Sequence, residues 1–183
     1  MTTIPADIPY LAADTDLKES WRRELGAIQG FKIGIAWQGN PKFLGDRRRS
    51  IPLIHYEPLA RVPGVRLFNL QKEHGLDQLR QIADRFSVTD LSDRLGSFMD
   101  TAALMMNLDL VITSDTSIAH CAGALGVPVW VALQFVPDWR WLLHREDSPW
   151  YPTMRLFRQK EPGNWDDVFA RITDGLEKMA GQR

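Results

Sequence analysis

Leu108-Asp109-Leu110-Val111-Ile112-Thr113, Ser114-Asp115-Thr116-Ser117, Ile118 through Leu125 closed by Gly126, and Pro128-Val129-Trp130-Val131-Ala132-Leu133 follow one another with only Val127 between the last two. The first and last runs are short, apolar and rich in Val, Ile and Leu, the pattern of strands buried on both faces. The segment between them is a hydroxyl-rich turn and then a small-residue helix that glycine ends. Strand, turn, helix, strand is a β-α-β unit, and its two strands are expected to lie parallel.

The same alternation extends toward the N-terminus. Phe31 to Trp37 reads as a strand that opens into a loop at Gln38-Gly39-Asn40-Pro41, and Val65 to Leu70 reads as a second strand. Helices are predicted over Leu53–Arg61, Gly75–Ala83 and Asp100–Asn107, with Asp100-Thr101 supplying capping side chains to the last. Phe86 to Leu91 reads as a weak short strand. Residues 1–26 are read as an arm followed by a helix over Leu17–Leu25, and residues 27–183 as one domain; past Trp150-Tyr151 no element is assigned. The fold class is α/β, a Rossmann-like open parallel sheet with helices on both faces. Such sheets bind ligands beyond the carboxyl ends of their strands, so the loops after Trp37, Leu70, Leu91, Thr113 and Leu133 are where function is expected.

Composition narrows the classes. A chain of 183 residues can bury a full three-layer core, and a formal net charge of -1 gives no global field toward nucleic acid or a membrane. No stretch approaches the roughly 18 apolar residues of a membrane span, and the first ten residues do not form a signal peptide. The single cysteine, Cys121, lies in an apolar stretch and argues against a disulfide framework. A cytoplasmic protein is expected. No repeat with a period of about 20 to 50 residues is visible.

Three loops hold residues suited to an anion. The turn Asp115-Thr116-Ser117 opens a helix whose amides and dipole suit a phosphate, and His120 stands one turn further along the same face. The same residue types are also the commonest helix caps. Gln38, Asn40 and Lys42 precede Arg47-Arg48-Arg49, and a guanidinium suits bidentate contact with a diphosphate; the bland alternative is a solvated loop. Gln71-Lys72-Glu73 offers contacts to a base, a ribose or a phosphate, or is a polar turn. Trp139 and Trp141 flank Arg140 after the last strand, either as platforms for a sugar or as plugs of an interdomain surface.

Gly34 to Asn40, Asp100 to Leu104, Asp115 to His120, Gly123 to Trp130 and Asp138 to Leu142 together resemble the C-terminal catalytic region of bacterial tetratricopeptide-repeat glycosyltransferases. The region is similar to heptosyltransferases and, more remotely, to O-linked N-acetylglucosamine transferase. The resemblance implies the C-terminal half of a GT-B glycosyltransferase that binds a nucleoside diphosphate sugar, a UDP-sugar being favoured, with no further cofactor and no metal. It implies a donor site made from Gln38, Asn40, Arg49, Gln71, Lys72, Met99, Asp100, Asp115, Thr116, Ser117 and His120. Arg49, three residues before Pro52, falls where heptosyltransferases carry a phosphate-contacting lysine. Met99 and Asp100 fall on the loop whose backbone receives the base.

The repeat array and the N-terminal half of that family are not in this sequence. The expectation is therefore an excised fragment, a truncated gene product or one half of a two-chain enzyme, with an acceptor-binding domain supplied in cis or in trans and no catalytic base nominated. Asp115 is read as a helix cap rather than a base. The aromatic surface around Trp139, Trp141 and Trp150 invites a homodimer. A non-catalytic GT-B-like interaction module is the rival reading. A dinucleotide oxidoreductase is disfavoured because Gly34 to Gly39 lacks G-x-G-x-x-G, and nucleic-acid binding through Arg47 to Arg49 is disfavoured by the neutral balance.

Overall fold

The computed structural model describes residues 7–181, so Met1 to Ala6 of the expected arm lie outside the described residues. Five strands, β1 (Phe31–Ala36), β2 (Val65–Asn69), β3 (Leu110–Ser114), β4 (Val129–Leu133) and β5 (Met154–Arg158), form one sheet in the order β2-β1-β3-β4-β5. Every neighbouring pair is parallel. The helices are α1 (Thr15–Gly26), α2 (Asp46–Arg49), α3 (Glu57–Arg61), α4 (Asp77–Gln81), α5 (Phe98–Met105), α6 (Ser117–Ala124) and α7 (Trp165–Ala180).

Alternation along the strands divides the core between the two faces of the sheet. Ile33, Ile35, Leu110, Ile112 and Trp130 join one cluster with Leu59 of α3 and Val168, Phe169 and Ile172 of α7. Val111, Val129 and Val131 join the other with Trp21 and Leu25 of α1, Leu104 of α5 and Ala119 and Ala122 of α6. Helices thus cover both faces, which is why the strands read as continuous apolar runs. Small residues on α6 let it sit close. A Cβ on Gly123 would lie 2.5 Å from Cγ of the Tyr151 ring.

Several sequence expectations need correction. Phe86 to Leu91 is not a full strand: Thr89 makes one isolated parallel bridge to Phe68, with Asn69 N–H donating to the Thr89 carbonyl at 2.8 Å. Leu53–Arg61 is not one α-helix, because Leu53–Tyr56 is a 3₁₀ turn that runs into α3. The sequence predicts no fifth strand, because Arg155 and Arg158 of β5, at the sheet edge, enclose only two apolar residues and no apolar run marks it. Helix α7 is likewise not among the predicted elements, although Trp165, Val168, Phe169, Ile172 and Leu176 recur at helical spacing and Asn164 caps it by accepting from Asp167 N–H at 3.1 Å. The arm is tied down, with Tyr10 and Leu11 N–H both donating to the Ala124 carbonyl. Among the described residues no helix is long and apolar enough to cross a membrane.

Candidate functional site

In the order β2-β1-β3-β4-β5 the connections leaving β1 and β3 run to opposite sides, and a crevice opens between their carboxyl ends. A cleft of about 490 Å³ lies there. Gln38, Asn40 and Arg49 border it from the β1 side, Gln71 and Lys72 from the β2 side, and Thr116 and Ser117 from the start of α6.

Arg49 is fixed rather than free. Its Nη1 donates to the Asp115 carbonyl at 2.8 Å and its Nε to Asp46 Oδ1 at 3.1 Å, while its guanidinium lies 4.7 Å from the Phe43 ring centroid. Asp46 is buried, and its other oxygen accepts from the Ser50 hydroxyl at 2.8 Å. That hydroxyl in turn accepts from Gly39 N–H at 3.2 Å. One chain of bonds therefore runs from the β1 loop to the opening of α6. A Cβ on Gly39 would collide with Asp46 Oδ1 and come within 2.6 Å of Arg49 Nη2, so any larger residue here has to displace that pair.

No side chain caps α6: its N-cap residue Thr116 makes no capping hydrogen bond, and the Asp115 contact with Arg49 is through its backbone carbonyl. The expectation that Asp115 caps this helix is not met. Thr116 is buried and Ser117 exposed, both lining the cleft with Ile118. Amides of a first turn that carry partial positive charge and lack a side-chain partner suit an anion.

Gln71 is buried and its amide is fully engaged. Its Oε1 accepts from Trp37 and Gln38 N–H, each at 3.0 Å, and its Nε2 donates to the Gln38 carbonyl at 2.8 Å. Gln71 thus clasps the β1 loop to the β2 loop. Lys72 Nζ donates to the Gly96 carbonyl at 2.8 Å, tying the next wall of the cleft to these two. Replacing Gln71 with Leu strands the buried Trp37 amide, worth about 1–3 kcal/mol, and the half-buried Gln38 amide beside it. A stability loss of at least about 2 kcal/mol in denaturant unfolding is expected, and a loss below about 0.5 kcal/mol would show that the clasp carries no weight.

The remaining candidates lie apart from the cleft. Asp100 reciprocates in a capping box with Ser97, accepting from Ser97 N–H at 2.7 Å. Ser97, not Asp100 or Thr101, is therefore the cap of α5, and its bonds hold the Asp100 carboxyl below its usual range. Met99 and His120 line a second, apolar pocket of about 350 Å³ beside α5 and α6. A guanidinium only donates, so His120 Nε2 accepts from Arg140 Nη1 at 3.2 Å. That leaves the Nδ1 proton to be donated to the Tyr151 hydroxyl at 3.1 Å. Burial first, and Arg140 second, push the imidazole below its usual range. Trp141 stacks on His120 with centroids 5.1 Å apart and is 0% exposed, which removes it from any sugar or interdomain surface. Trp139 is exposed, and Trp150 is half-buried with its Nε1 donating to the Arg140 carbonyl at 2.9 Å. Asp46, Ser50 and Phe98 were missed; only Phe98 carries a sequence signal, an aromatic beside the Met99-Asp100 loop.

The fold and its switch-point cleft define a Rossmann-like domain of the kind found in GT-B glycosyltransferases, and comparison with known proteins narrows this further. Residues 59–133 match the family model of Glycosyltransferase family 9 (heptosyltransferase). Protein FlbA of Caulobacter vibrioides is 28% identical over 177 residues, covering 93% of this chain and 29% of FlbA. The Escherichia coli ADP-heptose lps heptosyltransferase II superposes with a TM-score of 0.66 at 15% identity, covering 98% of this chain and 56% of that one. A glycosyl transferase family 9 structure from Veillonella parvula gives 0.69 at 12% identity, with 94% and 54% covered. The chain thus spans under a third of FlbA and little more than half of each of these two structures.

Proposed function

We propose that this chain forms the donor side of an inverting, metal-independent glycosyltransferase, holding a nucleoside diphosphate sugar in the switch-point cleft. The observation that carries the proposal is Arg49 hydrogen-bonded at 2.8 Å to the carbonyl of Asp115, next to the uncapped start of α6. Loss of a nucleoside diphosphate requires negative charge to be stabilised as it develops. A preorganised guanidinium and a helix N-terminus do this without moving. Arg49, Thr116 and Ser117 meet the diphosphate, and the Gln38 and Asn40 loop and Lys72 enclose the rest of the donor. His120 stands one turn along the same helix and steadies Arg140. The acceptor and the base that activates it come from a second domain, in cis or in trans, so this chain alone is expected to transfer no sugar.

Titration calorimetry with UDP, ADP and GDP and their sugars, with and without a chelator, tests the proposal. Saturable binding of at least one of them, unchanged by the chelator, is expected. No binding at millimolar ligand would overturn it in favour of a non-catalytic interaction module.

A further inference from the structure

His120 lies outside the cleft, yet it stands on the helix whose first turn is proposed to meet the diphosphate, four residues past the N-cap Thr116 and about 6 Å along the axis. Its ring is fixed at both nitrogens. Nε2 accepts from Arg140 Nη1 at 3.2 Å, Nδ1–H donates to the Tyr151 hydroxyl at 3.1 Å, and Trp141 stacks on one face. Arg140 is held in turn by Asp138, whose Oδ1 lies 2.9 Å from its Nε, and the Tyr151 hydroxyl lies 3.3 Å from that of Tyr10 in the arm. The charges acting on the ring are Arg140 and Asp138 from the β4–β5 connection and Asp115 from the β3–α6 turn. Burial keeps Tyr151 and Cys121 neutral, and Phe98, Met99 and Ala102 of α5 bring no charge.

This arrangement holds only while the imidazole is neutral. A proton on Nε2 replaces the acceptor with an N–H that faces a guanidinium N–H, so imidazolium and Arg140 repel and their hydrogen bond breaks. Burial first, and Arg140 second, favour the neutral ring in the free protein, while Asp115 and Asp138 oppose them. A diphosphate at the start of α6 adds negative charge about one turn away, partly through protein interior, where charges act more strongly than across water. The balance then tips toward the charged ring. We infer that donor binding places a proton on His120 and releases Arg140, coupling occupancy of the cleft to the turn Trp139–Trp141. The proton comes from solvent: an Nε2–H bond forms, the hydrogen bond from Arg140 is lost, and Asp138 keeps the guanidinium as its partner. The turn follows β4 at the carboxyl end of the sheet and carries the exposed Trp139, so the change is displayed at the end where the donor binds. This rests on the proposed donor site and makes His120 a positioning residue that answers the diphosphate without touching it.

The test is calorimetry of UDP-glucose and ADP-glucose on the full chain, near pH 6 and near pH 8, in paired buffers of unlike ionisation heat. Both phosphates of a nucleotide sugar are diesters, so the ligand itself takes up no proton in this range. The bound state holds more protons, so affinity rises as pH falls. Near pH 6 binding is expected to take up roughly half a proton and to be about threefold tighter than near pH 8, where uptake vanishes. His120→Gln keeps an acceptor for Arg140 and a donor for Tyr151 but does not titrate, and is expected to bind with no uptake at either pH. The His120 imidazole resonances of the parent, followed by NMR near pH 6, should move toward the charged form as ligand is added. Binding by the parent without uptake, or with these resonances unmoved, would overturn the inference and leave the donor site standing. Equal uptake in His120→Gln would assign the proton to another group and overturn it equally. If the parent binds neither nucleotide sugar at millimolar concentration, it is the donor-site proposal that fails, and the inference with it.

Discussion

Arg49→Ala is expected to weaken ADP or UDP binding by about 1–3 kcal/mol, roughly five- to 150-fold, the range for losing a charge-assisted hydrogen bond. The effect has two parts. The guanidinium itself is lost as a partner for the diphosphate, and the Asp115 carbonyl and Asp46 carboxylate lose the group that links them across the crevice. Asp46 is buried, so removing its cation leaves a carboxylate short of partners and costs stability as well. Arg49→Lys separates the two parts. It retains a point charge near the cleft but cannot bridge Asp46 and Asp115 with a planar fork, and is expected to recover only part of the affinity. Gly39→Ala should reproduce part of the Arg49→Ala loss while the arginine is kept, because its methyl group pushes on the Asp46–Arg49 pair. Calorimetry on the three variants, with unfolding curves beside it, reads both effects. Nucleotide affinity unchanged in Arg49→Ala would remove the residue from the site.

Trp141→Ala is expected to cost about 3–5 kcal/mol of folding stability, the usual loss for deleting a fully buried tryptophan. The side chain is packed in the cluster that joins α5 and α6 to β3 and β4, and it is the surface on which His120 rests. Its loss should also free the imidazole from its stack and loosen the His120–Arg140 contact. Trp139→Ala, two residues earlier and 74% exposed, is expected to change stability by less than about 0.5 kcal/mol. Urea unfolding distinguishes the two directly. Similar small changes in both would mean that Trp141 is not core.

The contrast between these tryptophans shows where the sequence was legible and where it was not. Buried parallel strands announce themselves as apolar runs, so β1, β3 and β4 were readable to within a residue or two, and the loops after them located the cleft. Edge elements obey weaker patterns. The strand β5 has a strand partner on one side only, with a single antiparallel bridge from Arg155 to Asp147 on the other, and mixes arginines with its apolar residues, and Thr89 manages a single bridge where a strand was expected. At the site, residue types were legible but roles were not. Arg49 and Asp115 are 66 positions apart, and their contact depends on the crossover that brings the β1 loop against α6. Gln71 looks like a ligand contact in sequence, yet its amide is consumed by backbone groups 33 and 34 positions away. His120 and Trp141 are placed by tertiary packing that their local sequence does not show. Local spacing along α6 put His120 on the face of Thr116, whereas Arg140 and Tyr151, brought in by the β4–β5 connection, take both of its ring nitrogens.

A crystal structure of this chain soaked with ADP or UDP is the most direct measurement of the central claim. The two phosphates should lie at the start of α6, with oxygens within hydrogen-bonding distance of Arg49 and the Ser117 amide. Phosphates bound elsewhere, or a cleft in which Arg49 turns away from the ligand, would contradict it.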